Sequence, residues 1–427
     1  MIFGFESFHL EYKEPTMPMS NNLDIPQTLP PDGRSHTYAM LQNYSNFMGK
    51  SKTIDELMET KENFIYILDM AYPMYYQDLH DYHLPERIHE AVREKRCRVA
   101  FCTFTEPYAK LYVKTMEIFA DNHDIERDQL FLISGDNALP DNNPRFKTLY
   151  LNYFLSANWF LDDVKEKNED KFNFTQIDYR LKNTFPYKAK FLCLNRITRA
   201  HRLYFFYRLN QLPDLYYNTL ISLATKSHGN GLDFTMFDPV EEHTLPHERL
   251  LKDPKESLKV YNFFKNRKFN IFLDDYDKNI NLASNVPYDL FNTTFISIIT
   301  ETDVSAGKVF ISEKIAKGFY SKQPFILLGN PSTLVYLKKL GFKTFSKWID
   351  ESYDQEYDFK KRINKIIKLM NDLNKYSDKE LFDMRNEMSK VLEHNHNKII
   401  QYNDMNRVFK KVNIYKKEDD KQVVKLV

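Results

Sequence analysis

The chain has 427 residues, 42% of them hydrophobic and 28% charged, which excludes a disordered or fibrous protein and leaves length for two or three separately buried cores. Sixty Lys and Arg against 59 Asp and Glu leave a formal charge of +1, so no global field draws it onto nucleic acid or a membrane, and such binding has to come from a local patch. Three scattered cysteines and the lack of any run of about 18 apolar residues argue against a disulfide framework, a four-cysteine zinc site and a membrane-spanning segment.

Residues 1–61, with Pro15, Pro18, Pro26, Pro30 and Pro31 and no sustained periodicity, read as an irregular leading segment. Order is expected from about Glu62. Residues 63–69, 98–104 and 130–134 are short apolar runs of buried-strand length. Between them, 85–94 has helical spacing with Ile88, Ala91 and Val92 on one face, and Pro107 opens a helix whose apolar side holds Leu111, Met116 and Phe119. Strand, helix, strand, helix, strand predicts half of a doubly wound α/β sheet over 62–186.

The polar run 165–171 and Pro186 mark a boundary, and from 187 the alternation restarts. Strands are expected at 190–195, 220–223, 269–273, 294–299, 310–311 and 324–328. Helices are expected at 203–212, from Glu313, and over 332–340 with Gly341 behind. The fold class is therefore α/β, with Rossmann-like doubly wound domains at 62–186 and 187–360. Residues 361–427 read as C-terminal helices packing across the domains, followed by a basic tail. Ile363, Ile366, Ile367, Met370 and Leu373 share one face, and Ser377-x-x-Glu380 forms a capping box before Leu381, Met384, Met388 and Val391.

Glycine accounts for only 10 residues, and neither G-x-G-x-x-G nor G-x-x-x-x-G-K-[ST] occurs, so any phosphate must be held by side chains. In an open α/β sheet, ligands bind beyond the carboxyl ends of the strands, with anions at helix N-terminal amides. After the strand at 190–195 come Arg196, Arg199, His201 and Arg202, at a helix start where positive charge opposes the dipole unless an anion binds. Glu301 follows the strand at 294–299. Ser312-Glu313-Lys314 then opens a helix with a cap, a first-turn carboxylate and a cation. Acids and cations at one sheet edge suit the ribose hydroxyls and diphosphate of a nucleotide.

KFLCLNRITRAHRLYFFYRL, FISEKIAKGFYSKQPFILLGNPSTLVYLKKLGFKTF and the WIDESYD that follows resemble the donor domain of a family of phage and bacterial glycosyltransferases. The S-E-K step is more distantly similar to the [ST]-E-K step of α-1,3-fucosyltransferases. The resemblance covers 187–360, and DLHDYHLPERIHEAVREKR and the TEP at 105–107 extend it more weakly. It implies the GT-B fold of two facing Rossmann-like domains, and transfer of a sugar from a nucleotide-sugar donor (a UDP- or GDP-sugar). The implied acceptor is a glycan or a hydroxymethylated base of phage DNA. The three scattered cysteines suit a reducing compartment, so a cytoplasmic location is expected, that of the host cell if the chain is phage-encoded. By the same resemblance Glu313 would contact the donor ribose, while Lys314 and Arg196 would hold the diphosphate. Ile315-Ala316-Lys317-Gly318 departs from the Thr and Lys-Pro of the family pattern.

A leaving diphosphate is neutralised by a metal or by fixed cations. Cations are plentiful here, so no divalent metal is expected. Asp275-Tyr276-Asp277 is the candidate D-x-D, and neither His243 with His247 nor His394 with His396 has convincing ligand geometry. An inverting transfer also needs a general base. Glu106, directly after the strand at 98–104, ranks first and Asp69 second, ahead of the cluster Asp78, His80, Asp81 and His83. The alternative is a non-catalytic protein that keeps the fold to bind a nucleotide.

Overall fold

A computed structural model describes residues 3–5, 51–69, 83–103, 109–156, 183–195, 199–223, 253–265, 288–402, 404, 407–408 and 411–412, the side chains of 3–5, 51–56, Asp69, Pro254 and Tyr288 excepted. These residues form two α/β units. The first takes those up to Tyr153 and those from Asp404 onward, the second those within Phe154–Tyr402.

In the first unit, β1 (Phe3–Phe5), β2 (Ser51–Thr53) and α1 (Ile54–Thr60) precede β3 (Phe64–Asp69), α2 (Glu86–Arg93) and β4 (Cys97–Thr103). A 3₁₀ turn (Ala109–Tyr112), α3 (Val113–Asn122), β5 (Leu130–Ser134) and β6 (Lys147–Tyr150) follow. The strands are parallel, in the order β2-β1-β3-β4-β5-β6. Parallel strands are covered on both faces, which is why β5 is apolar from Leu130 to Ile133 and buried throughout. Ile88, Ala91 and Val92 of α2 and Met116 and Phe119 of α3 close over Val99 and Phe101.

Two expectations need correcting here. The leading segment contributes β1, β2 and α1, because three-residue strands are defined by their pairing partners and carry no alternation of their own to read. Leu111 is 50% exposed: it sits in the 3₁₀ turn, where a three-residue period turns Ala109 and Tyr112 inward and leaves Leu111 outside.

The second unit runs β7 (Ala189–Asn195), α4 (Ala200–Asn210), α5 (Pro213–Tyr217), β8 (Thr219–Leu223), α6 (Pro254–Lys265), α7 (Tyr288–Asn292) and β9 (Thr294–Thr300). It continues with α8 (Glu313–Tyr320), β10 (Phe325–Leu328), α9 (Thr333–Lys339), α10 (Phe359–Asn374), α11 (Asp378–Glu387) and α12 (Ser389–Gln401). Its described strands are parallel, ordered β10-β9-β7-β8. The strand expected at 269–273 lies outside the described residues. Phe310 and Ile311 form no strand; a side-chain acceptor, Asn330 Oδ1, takes the Phe310 amide at 3.1 Å.

The capping box forms as expected, Ser377 and Glu380 each taking the other's amide. The helix it starts ends at Glu387, however, and α12 begins afresh beyond the buried Met388. The three C-terminal helices belong to the second unit, while the segment after them returns to the first. There Asp404 accepts from the Asn152 amide at 2.9 Å and side chain at 3.0 Å, and Arg98 donates to Val412 O at 2.7 Å.

Both sheets start on an inner strand, step to one side, then cross to the other. The order reverses between β1 and β3 in the first and between β7 and β9 in the second. Such a reversal opens a crevice beyond the strand ends, the usual ligand position in this architecture.

Candidate functional site

The candidate site lies where β7 and β9 end. The Thr300 hydroxyl donates to Asn195 Oδ1 across the two strands, and Asn195 N donates to Ser222 Oγ of β8 at 3.0 Å. Three strand ends are thereby tied together, and the residues just beyond them hold fixed places.

Beyond β9 comes Glu301, fully buried. Its carboxylate accepts from Thr302 N at 3.1 Å and Ser312 N at 3.3 Å. Burial pushes its carboxyl above the usual carboxylate range, against the opposing pull of Lys314 and the Ser312 side chain. Ser312 caps α8, its Oγ accepting from Lys314 N at 3.3 Å. Lys314 Nζ folds back to Glu313 Oε1 at 2.6 Å and to Ser312 Oγ at 3.2 Å. Both charged side chains stay about one-fifth exposed, at 22% and 21%. Burial works to raise the Glu313 carboxyl, but the Lys314 ammonium outweighs it and holds the group at about 2, so Glu313 is an ionised acceptor near neutral pH.

Beyond β7, α4 starts at Arg199, whose extended backbone forms the N-cap without any side-chain bond to the helix amides. The Arg199 guanidinium makes no hydrogen bond or ion pair with another described residue. His201 and Arg202 turn the other way. Both are buried: His201 Nε2 donates to Glu301 O at 2.9 Å, and Arg202 Nη2 donates to Thr300 O at 3.0 Å and Glu301 O at 3.1 Å. Burial, with Arg202 beside it, drives the His201 imidazole down to about 3. The ring is therefore neutral, with its proton on Nε2, since a carbonyl can only accept. These two side chains support the sheet edge from within.

The structure thus brings Arg199, His201, Arg202, Glu301, Ser312, Glu313 and Lys314 to one edge of the second unit. Arg196 and Glu106 lie outside the described residues, as do Asp275, Asp277, His243, His247, Asp78, His80 and Asp81. Asp69 ends β3, its side chain outside the description. Among residues missed at the sequence level is Arg362, buried and donating to the carbonyls of Gly329, Val304 (3.3 Å) and Glu356 (2.7 Å). Asp303 also went unnoticed: it is paired with Lys308 at 3.1 Å and bonded by Asn330 Nδ2 at 2.9 Å, which shapes the 302–311 loop.

No family model matches the chain, and no curated protein matches it either. The chemistry rests on the side chains themselves. The amides at the start of α4, which no described side chain caps, Arg199, which has no described partner, and Lys314 are the groups an anion could use here, and the ionised Glu313 is an acceptor a hydroxyl could use. Among the described residues no cluster of three or more His, Cys, Asp or Glu could hold a metal. His394 and His396 bond instead to the carbonyls of Gly341 (3.0 Å) and Tyr320 (2.9 Å). No described helix is long and apolar enough to cross a membrane.

Proposed function

We propose that the chain is a glycosyltransferase of GT-B type whose second unit binds a nucleotide-sugar, UDP- or GDP-linked, for transfer to an acceptor hydroxyl. The observation that carries this reading is the pair of cation-bearing helix starts, Arg199 at α4 and Lys314 at α8, on the neighbouring strands where sheet order reverses. Fixed cations and helix amides stabilise the charge growing on a leaving diphosphate, so turnover needs no divalent metal. Glu313 takes the ribose hydroxyls. Glu106, with Asp69 as the alternative, serves as base toward the acceptor. A glycan suits the +1 net charge better than duplex DNA, whose affinity is carried by phosphate contacts.

The test is a thermal-shift panel of UDP, GDP, CMP and dTDP compounds with wild type and Lys314→Ala. A ligand at 100 times its Kd adds about 2.7 kcal/mol to stability. One nucleoside diphosphate should raise Tm, and Lys314→Ala should weaken that binding by ~1.5–3 kcal/mol, read as the ligand-induced shift from the variant's own unliganded Tm, because the substitution also removes the ion pair to Glu313. Absence of any shift would refute the reading. A specific observation favours the second reading, a non-catalytic nucleotide-binding protein: His201 and Arg202 are bonded to main-chain carbonyls and Lys314 to Glu313, which leaves few cations for a leaving group. Binding without transfer to any acceptor would select it.

A further inference from the structure

A ligand at this edge cannot touch Glu301, yet several features of the fold converge on it. His201 and Arg202 clamp its carbonyl, fixing where β9 ends. Its carboxylate takes the amides of Thr302 and Ser312, closing the 302–311 loop onto the start of α8. Gly329 leaves the space it fills, since a Cβ there would stand 3.2 Å from Glu301 Cγ. A buried carboxylate carries a desolvation penalty that a neutral loop-closing group would escape. What it adds is a pair of acceptor oxygens on the inner side of a turn whose outer side carries the Lys314 ammonium, one for the Thr302 amide and one for the Ser312 amide.

We infer that Glu301 is a positioning residue: by holding the Ser312 amide it sets the turn 312–314, and through it the ammonium of Lys314, without contacting the ligand. Lys314 Nζ rests on Ser312 Oγ at 3.2 Å, and Ser312 N rests on Glu301, so the path from buried acid to the partly exposed cation is two hydrogen bonds long. This role deepens the diphosphate reading and presupposes it wherever binding is the readout. Glu301→Gln keeps the shape and sets an amide NH₂ where one of the two backbone donors now points.

The experiment is a double-mutant cycle on the full chain, with Glu301→Gln, Lys314→Ala and the double variant titrated with UDP and GDP by calorimetry. Hydrogen exchange over residues 302–316 is measured without ligand. Glu301→Gln should speed exchange at 312–314 and weaken binding by about tenfold or more, as for a lost hydrogen bond to a charged group. In the Lys314→Ala background it should weaken binding no further. Gly329→Ala, which presses on Glu301 Cγ from the other side, should give a smaller loss that also vanishes without Lys314. Losses that multiply in the double variants would show a merely structural part and overturn the role. Unchanged exchange at 312–314 in Glu301→Gln would overturn it whether or not any nucleotide binds. Failure of wild type to bind either diphosphate would instead remove the diphosphate reading and leave exchange as the deciding arm.

Discussion

His201→Gln should flatten the acid dependence of the stability of the second unit. The native imidazole is held at about 3 by burial and by Arg202, against an ordinary value of 6.5. A depressed folded value means that the stability is fully present above about pH 6.5 and is lost as pH falls toward 3. At about pH 7.5 the ring is neutral in both states. At about pH 5 the unfolded imidazole is charged and the buried one is not, so folding loses RT ln(1 + 10^1.5), about 2 kcal/mol. That figure depends on the unfolded value and hardly on the folded one, provided the latter stays below about 4. Gln carries a donor where Nε2 donates to Glu301 O and has no proton to gain. Urea unfolding of both proteins at the two pH values gives a difference of differences in which other titrating groups cancel. A change with pH equal in the two proteins to within about 0.5 kcal/mol would refute a neutral, buried His201.

Arg362→Met should lower stability by ~3 kcal/mol or more, because the buried carbonyls of Gly329 and Val304 and the partly buried one of Glu356 lose their donor; a loss under about 1 kcal/mol in urea unfolding would contradict it. Gly318→Ala should destabilise by ~1 kcal/mol despite the better helix propensity, since its Cβ would stand 3.0 Å from Phe325 Cδ1 and 3.3 Å from Ile299 Cδ1. A higher Tm would show that the Phe325 ring yields freely. Glu106→Gln should lower kcat by ~10²–10⁴-fold with donor binding intact; retention of more than about a tenth of the rate moves the assignment to Asp69. Turnover should survive EDTA, whereas loss restored by Mn²⁺ would direct attention to Asp275 and Asp277.

The alternation of strands and helices was legible because each central strand is an apolar run and most of the helices expected have a phase or a cap. Ser312 and Ser377 announce their helices through local bonds alone. Residues whose role depends on distant partners were not legible. Arg199, His201 and Arg202 look alike in sequence as a basic cluster, and only the carbonyls of Thr300 and Glu301, about a hundred residues on, decide that two turn inward and one does not. Glu301 looked like a ligand for the same reason. Arg362 did leave a signal: it falls on the stripe of Ile363, Ile366 and Met370, all buried, where a charge has to find carbonyls. Arg385, donating to Phe291 O at 3.1 Å and to Thr294 O, repeats this on α11.

The return of the chain to its first unit has a consequence for synthesis. Asn152 waits for Asp404, which is 252 positions later, and Arg98 for Val412, 314 positions later. At 5–20 residues per second a ribosome needs roughly 10–50 s to deliver Asp404 after Asn152. For that time the outer strand β6 has left the ribosome without the segment that later bonds to Tyr150 and Asn152. The second unit, whose described elements all fall within one continuous stretch, can finish first although it is made later. Nascent chains halted just short of Asp404 should therefore protect the second unit from protease while leaving β6 open to cleavage.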